Sequence, residues 1–323
     1  MSTVITHKQF PNYKKWTMDL CGRPLTIEMG KLAELASASA LVTYGETSVM
    51  VAVTVAPRPR DGIDFFPLSV DFEEKLYAVG RIPGSFMRRE GRPSLPAVLA
   101  SRLIDRPMRP LFPSDLRNDV VIACEVLTVD RDCSPEITAM IGASAAVSIS
   151  DVPFNGPIAG IVLGWDGEKF LFNPTQEERK NNRMITTIAA THKKIVMIES
   201  EHDQVPDEVM FEGIVQAHEH LQPVLDMIDH MVAEIGKEKI AFESQEVPHE
   251  MFEAIKEFAI DDVKFALDTD DKRIRDERLK PIYDAVHAEF DEKFADAADK
   301  IEDCLYKLQK VIDRRWLLDE GKR

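Results

Sequence analysis

The apolar residues of this chain change their spacing once, near residue 200, and that change restricts the folds it can adopt. Before this point, short apolar runs rich in β-branched residues are separated by turn sequences, which is typical of strands. Residues 44–47 and the Asp166-Gly167 pair each join two such runs, so each predicts a β-hairpin. The predicted strands cover residues 39–44, 48–56, 65–72, 120–129, 158–165, 169–172, 185–189 and 194–199.

After residue 200 the apolar positions recur three and four residues apart, which predicts amphipathic helices instead of strands. One helix is expected around 221–235, where Pro223 either kinks it or begins a new helix. The longest helix is expected to carry an apolar stripe from residue 282 to residue 312. Earlier in the chain, a helix is predicted over residues 95–105, ended by Pro107.

The chain is acidic, with a formal net charge of −16 over 323 residues, which excludes a protein that coats nucleic acid along its whole surface. Residues 81–117 depart from this average, because they hold eight arginines, three acids and no lysine, a net charge of +5. Arginine without lysine favours bidentate recognition of phosphate or carboxylate. The alternative is an internal salt-bridge network with nearby acids, and the sequence alone does not separate the two. The arginines are Arg81, Arg88, Arg89, Arg92, Arg102, Arg106, Arg109 and Arg117.

The first part of this basic segment, residues 80–94, is a turn-rich stretch that we call the arginine loop. Its glycines and prolines surround Phe86, which offers a stacking face, and Arg88, Arg89 and Arg92, which offer guanidinium groups. A stacking face beside a guanidinium cluster is what a single-stranded nucleic-acid backbone requires of a binding site. The arginine loop is therefore the candidate functional site.

No sequence motif marks a catalytic or metal centre. Paired acids such as Glu73-Glu74 are better explained as solvated surface groups than as metal ligands. Ser85 and Ser94 are better explained as turn or cap residues than as nucleophiles. The four cysteines show no CxxC spacing, and no secretory or transmembrane segment is visible. We therefore expect a cytoplasmic chain with no metal site and no membrane partner.

Three long motifs in and around the arginine loop closely resemble polynucleotide phosphorylase. The similarity extends in order from about residue 12 to residue 323, and the helical third matches in character more than in motif. The motifs are FPLSVDFEEK (66–75), GRIPGSFMRREGRPS (80–94) and RLIDRPMRPLFP (102–113), and residues 30–55 and 173–175 are also similar.

The resemblance implies an α+β fold, in which an RNase PH-like core with a ribosomal-protein-type mixed sheet and helices precedes an all-α helical domain. Together with the change of spacing near residue 200, it places the core at residues 1–205 and the helical domain at residues 206–323. The family's catalytic aspartates and main phosphate-binding serines lie in a second core, which we expect beyond residue 323. The counterpart in this chain, residues 185–190, carries no acid, so no catalytic residue is expected here.

The resemblance also implies the function of a phosphorolytic 3′-to-5′ exoribonuclease that acts in RNA and mRNA degradation. Phosphate is the implied co-substrate, and Mg²⁺ is the implied cofactor, with its ligands expected in the second core. The family works as a ring of three chains. The expected partners are therefore single-stranded RNA and further copies of this chain, with no role for DNA or a membrane.

Within this scheme the arginine loop is expected to grip RNA at the mouth of a channel. Met87 departs from the family, which usually has a second aromatic residue there, although its soft sulfur can still pack against a base. The residues expected to bind RNA are Phe86, Met87, Arg88, Arg89 and Arg92. The residues expected to support the substrate path or the contact between cores are Arg102, Arg106 and Arg109.

Two other functions remain open from the sequence. A chain without the second core can be a non-catalytic RNA-binding and assembly module that has no activity in isolation. A helical protein-interaction adaptor fits residues 241–323, where the net charge is −8, but leaves the basic segment unexplained.

Overall fold

The computed structural model describes residues 10–60, 62–84, 86–242, 244 and 246–322. Within these ranges, strands precede Pro206 and only helices follow it, as the change of spacing predicts. The strands are β1 (Lys14–Leu20), β2 (Arg23–Met29), β3 (Ala38–Tyr44), β4 (Thr47–Pro59), β5 (Leu68–Glu74), β6 (Asn118–Thr128), β7 (Ala159–Trp165), β8 (Phe170–Phe172), β9 (Met184–Ala190) and β10 (Ile195–His202). The α-helices are α1 (Leu95–Met108), α2 (Pro135–Ile149), α3 (Gln176–Arg179), α4 (Asp207–Ile235), α5 (His249–Leu267), α6 (Lys272–Phe290) and α7 (Ile301–Arg315).

The first sheet has six strands in the order β1-β2-β3-β4-β6-β5, and only the β5–β6 pair is parallel. Every second side chain of β3 and β6 is buried, so a two-residue apolar period predicts them. The predicted turn at residues 44–47 closes the β3–β4 hairpin. Gly45 has a φ of +58° there, and a Cβ atom on it would lie 2.5 Å from Cys133 Sγ, so the turn requires glycine.

Helix α2 lies between the two sheets, since it contacts β3 and β4 of the first and β7 of the second. Almost all of its residues are buried, and its small side chains permit the close approach. A Cβ atom on Gly142 would lie 2.8 Å from Val42 Cγ2 and 2.9 Å from Val51 Cγ2. The second sheet is antiparallel, in the order β10-β9-β7-β8, and the predicted Asp166-Gly167 turn forms its β7–β8 hairpin.

The chain divides into two compact units, Met1–Glu243 and Ser244–Arg323. This division falls after α4, whereas the sequence places the boundary between residues 205 and 206. The difference arises because α4 packs against the second sheet, where a Cβ atom on Gly213 would lie 2.8 Å from Leu163 Cδ2. Helical spacing near residue 206 reports the kind of element, but it does not report which core that element covers.

The segment after α4 also belongs to the first unit, because it is bonded to the end of α2. Lys237 N donates to Ile149 O at 2.9 Å. Lys239 Nζ donates to the main-chain oxygens of Ser148 and Ser150, at 2.7 and 2.6 Å. These carbonyls lie at the end of α2, where the helix itself supplies no N–H donor for them. Burial lowers the pKa of Lys239.

The second unit is a helical domain in which α5, α6 and α7 share their own core, including Ile255, Val286 and Leu308. The expected single helix along the 282–312 stripe is wrong, because a 3₁₀ segment, Ala295–Lys300, separates α6 from α7. Both parts of the stripe face the same small core, so the chain folds back between them. None of the described helices is long and apolar enough to cross a membrane.

Candidate nucleic-acid interface

The arginine loop connects β5, the edge strand of the first sheet, to α1. A 3₁₀ turn, Leu76–Val79, follows β5 and is closed by a hydrogen bond from Gly80 N to Tyr77 O at 2.9 Å. Arg81 N donates to Leu76 O, also at 2.9 Å. From there to α1, the described residues form no regular element, so the loop can present its side chains to solvent.

The other end of the loop is held by side-chain hydrogen bonds. Ser94 caps α1, since its Oγ accepts a hydrogen bond from Ala97 N at 3.1 Å, and this is the kind of role predicted for it. The same hydroxyl donates to Glu74 Oε2 at 3.1 Å, and Glu90 Oε1 accepts from Leu76 N at 2.9 Å. These contacts join both ends of the loop. Ser85, the other serine interpreted as a turn or cap residue, lies outside the described residues.

The tip of the loop presents apolar side chains to solvent. Phe86 is 100 % exposed and Met87 is 63 % exposed. Arg88 follows with a φ of +50°, in the left-handed region that non-glycine residues adopt infrequently. A fully exposed aromatic ring adds nothing to the core, and its face is available for stacking.

Three arginines of the loop have no side-chain partner in the part of the chain that the structure describes. Arg88, Arg89 and Arg92 are exposed, and their side chains form no ion pair or hydrogen bond with any described residue. The acid within the loop, Glu90, is bonded to the backbone of Leu76. The salt-bridge alternative therefore does not describe these three side chains.

Lys75 pairs with one acid of β5 and one acid of β6 beside the loop. The Glu73 carboxylate accepts a hydrogen bond from Lys75 Nζ and raises the pKa of that ammonium group. Glu125, the partner of Glu73 across the β5–β6 ladder, lies 3.7 Å from the same nitrogen. These carboxylates are thus partly neutralised by a lysine, which leaves the neighbouring guanidinium groups available for an external anion.

Of the three supporting arginines, Arg109 is the most engaged. Its guanidinium donates to both oxygens of Asp105, at 3.0 and 2.7 Å. It also donates to Phe66 O at 3.2 Å and Leu68 O at 3.0 Å, which joins the end of α1 to the start of β5. At Arg109, therefore, the basic segment forms an internal salt bridge, which is the alternative to anion binding that the sequence leaves open.

The other two supporting arginines are less constrained. Arg106 Nη1 lies 3.3 Å from Glu199 Oε2 in an exposed pair, which contributes little to stability. Arg102 is exposed, and its side chain has no partner among the described residues. An open cavity of about 310 Å³ is lined by Arg102, Asp105, Arg106, Arg109 and Pro110.

Helix α1 continues through Pro107 to Met108, so the prediction that Pro107 ends it is wrong. A proline removes one N–H group, but the next turn survives because Arg109 N still donates to Asp105 O. Pro107 is itself buried, and this packing helps offset the lost hydrogen bond.

Residues 185–190, the acid-free counterpart of the family's catalytic segment, lie on β9. Its Thr186 is buried, and the Thr186 and Ser200 hydroxyls share a hydrogen bond of 2.7 Å. In the described ranges, no three or more His, Cys, Asp or Glu side chains gather where they could hold a metal ion.

Three family models match this chain in order. They are the 3′ exoribonuclease family, domain 1 (residues 22–153), the same family, domain 2 (residues 156–220), and the polyribonucleotide nucleotidyltransferase RNA binding domain (residues 250–323). A polyribonucleotide nucleotidyltransferase from Ruminiclostridium cellulolyticum is 52% identical over 311 residues, which is 96% of this chain and 44% of that protein. The chain belongs to the polyribonucleotide nucleotidyltransferase family.

Other members of the polyribonucleotide nucleotidyltransferase family give the same result. The proteins from Lachnoclostridium phytofermentans and Clostridioides difficile are 45% and 47% identical over 312 and 279 residues, covering 96% and 86% of this chain. The matched region is only 45% and 40% of the length of these two relatives, so this chain spans less than half of each. The expected family is thereby confirmed.

A solved structure of rice Rrp46 shows the fold. It superposes with a TM-score of 0.53 at 17% sequence identity, covering 66% of this chain and 96% of that one. With the family models, it confirms an RNase PH-like mixed sheet with helices, followed by a helical region.

Sequence reasoning missed the two residues that anchor the loop, Glu74 and Glu90. Glu74 was grouped with surface acids, and its partner Ser94 lies 20 residues away along the chain. No short-range pattern contains such a pair, so only the parallel placement of β5 beside β6, with α1 packed on β5, brings them together.

Proposed function

We propose that this chain is the RNA-guiding half of a phosphorolytic 3′-to-5′ exoribonuclease that takes part in the degradation of RNA, including mRNA. The observation that carries the proposal is the tip of the arginine loop, where a fully exposed Phe86 stands beside Arg88 and Arg89, whose side chains have no partner among the described residues. Membership of the polyribonucleotide nucleotidyltransferase family supports the reaction class.

Each part of the loop has a distinct task in this proposal. Phe86 stacks against one base of a single-stranded RNA, an interaction worth about 1–3 kcal/mol that tolerates any base. Arg88, Arg89 and Arg92 donate charge-assisted hydrogen bonds to the backbone phosphates. Arg102, whose guanidinium is also unpaired among the described residues, extends the basic path along α1. Binding of this kind depends on salt and does not depend on sequence.

The chemical step belongs to the longer protein. An oxygen of inorganic phosphate attacks the phosphorus of the 3′-terminal phosphodiester, the bond to the preceding 3′ oxygen breaks, and a nucleoside diphosphate leaves. The reverse reaction extends RNA. The described part of this chain offers neither an acid on β9 nor a three-ligand metal cluster, so its residues are assigned binding and guiding, and no step is routed through Mg²⁺ here.

The assembly we propose is a ring of three chains, in which three arginine loops surround one pore. Threefold closure would multiply a single loop's contacts with one strand of RNA. All four cysteines are free, which suits a reducing compartment, and we place the protein in the cytoplasm.

A second candidate function is favoured by β9. Because this strand carries no acid, the chain by itself is proposed to be a non-catalytic RNA-binding and assembly module. We expect residues 1–323 alone to release no nucleoside diphosphate from a homopolymeric RNA in the presence of phosphate. Robust phosphate-dependent release by the purified chain would overturn this assignment.

RNA binding is tested with Phe86→Ala. The loss of one aromatic–base stack, worth about 1–3 kcal/mol, should weaken the binding of a labelled single-stranded RNA roughly 5- to 150-fold. The matched control is Phe211→Ala, because Phe211 is also exposed, at 70 %, but lies on α4. Equal affinities for the wild type and both variants would refute a role for the loop in binding RNA.

A further inference from the structure

The arginine loop contains an unusual methionine. The chain has 13 methionines, and Met87 is the single exposed one among those that the structure describes. Its side chain is 63 % exposed. The half-buried methionines are Met18, Met50, Met210 and Met227, and the buried ones are Met29, Met108, Met140, Met184, Met197, Met231 and Met251.

Exposure controls which thioether an oxidant in water can reach. When hydrogen peroxide oxidises a thioether, a lone pair of the sulfur attacks one of the peroxide oxygens. The O–O bond breaks as the S–O bond forms, and the sulfur is oxidised by two electrons. The proton on the transferred oxygen passes to the leaving hydroxide, which gives the sulfoxide and water. Met87 meets this requirement better than any other described methionine.

The cysteines do not compete well for the same oxidant. The thiolate is the reactive form, and burial raises the pKa of Cys21 to about 11 and that of Cys124 to about 12. Burial also raises the pKa of Cys133, and it raises the pKa of Cys304 to about 11. All four thiols are therefore protonated at neutral pH, which directs mild oxidation to the exposed thioether.

Oxidation at this position changes a surface that faces RNA. The sulfoxide replaces a soft apolar group beside Phe86 with a polar one, so packing against a base is lost. Its oxygen is a hydrogen-bond acceptor next to Arg88 and near Arg89, whose guanidinium groups have no partner among the described residues. That oxygen competes with phosphate for the same donors.

We propose that Met87 is a peroxide-sensitive modification site, and that its conversion to the sulfoxide weakens the hold of the arginine loop on RNA. The inference rests on the proposed function of this loop. It gives the RNA-binding site a reversible redox control, since methionine sulfoxide is reduced back by the two stereospecific sulfoxide reductases.

The first test is site selectivity. The purified chain is treated with limiting hydrogen peroxide, and the uptake of one oxygen is followed at each methionine by peptide mass mapping. Met87 is expected to oxidise at least about fivefold faster than Met18, Met50, Met210 and Met227, because the thioether must be reached by the oxidant. Equal rates at Met87 and at these half-buried methionines would overturn the proposal.

The second test is RNA affinity before and after oxidation. A sulfur contact with an aromatic ring is worth about 0.3–1.5 kcal/mol, so the oxidised chain should bind labelled single-stranded RNA about two- to tenfold more weakly. Treatment with both reductases should restore the affinity. Met87→Leu removes the oxidisable sulfur and keeps an apolar side chain, so its RNA affinity, measured against its own untreated sample, should not change on peroxide treatment. A peroxide effect of the same size in Met87→Leu would assign it to another residue.

The Phe86→Ala variant, measured in parallel, separates two kinds of failure. If Phe86→Ala binds RNA as the wild type does, the loop does not bind RNA and the proposed function fails. If Phe86→Ala weakens binding while Met87 oxidation leaves it unchanged, the function stands and the redox control is refuted.

Discussion

Replacing Arg88 and Arg89 together by alanine separates the two interpretations of the basic segment. Both side chains are exposed and have no ion-pair partner among the described residues, so their removal breaks no contact of the fold. The free energy of unfolding should therefore change by less than about 0.5 kcal/mol. Binding to single-stranded RNA should weaken, because two phosphate contacts are lost.

The size of the effect follows from counterion release. Each phosphate contact on a single strand contributes about 0.7 to the slope of log affinity against log salt concentration, so the double variant should lose about 1.4. Over a fourfold rise in salt, the wild type then loses about sevenfold more affinity than the variant. Fluorescence anisotropy of a labelled RNA across a salt series measures this directly.

Arg58→Ala with Arg131→Ala is the matched control, since both arginines are exposed and unpaired among the described residues but lie outside the arginine loop. This control should keep the salt slope of the wild type.

For stability, Arg109→Ala is the opposite case, because it breaks hydrogen bonds to Asp105 and to two main-chain oxygens. It should cost about 1–2 kcal/mol, limited by its 42 % exposure. An unchanged slope together with a lowered melting temperature in the Arg88/Arg89 variant would refute the reasoning.

Three further predictions concern the fold. Lys239→Ala leaves carbonyls at the end of α2 without a donor and should lower the free energy of unfolding by about 1–3 kcal/mol in a denaturant titration. Gly142→Ala should cost about 1–3 kcal/mol in the same assay, since its Cβ atom would overlap valine side chains. Burial opposes protonation of His192, but hydrogen bonds with Gln222 and Asp229 outweigh it and raise the pKa. Its contribution is full below the unfolded-state pKa of 6.5 and is lost as pH rises through the folded-state pKa, so His192→Asn should flatten the melting temperature over that window.

The strands of the first unit could largely be predicted, because most of them bury one face. Residues 38–44 and 118–127 alternate between buried and half-buried side chains, and this pattern is visible as an apolar period of two. Strands β1 and β2 were missed although they carry the same signal, since apolar and polar residues alternate over 16–20 and 25–29. A second signal is the two-residue Cys21-Gly22 turn between them, where both residues have a positive φ.

The helices show where local pattern stops being informative. Pro107 and Pro223 both lie inside continuous helices, and Pro223 sits within the 29 residues of α4. A proline would break an isolated helix at this position, but tertiary packing keeps both helices continuous. The stripe from 282 to 312 is correct as a set of core residues and wrong as one helix, because spacing does not record a reversal of chain direction.

The sequence by itself determined the α+β-then-helical order, the family, and the presence of a basic loop in an acidic chain, because periodicity, motif and charge are local properties. Only the tertiary structure decided which arginines are free. Arg109 finds its partners at Phe66 and Leu68, and Arg106 finds Glu199, far away along the chain. Arg88 and Arg89 find none among the described residues, because the contacts that close the loop leave its tip in solvent, where only an external anion can pair with them.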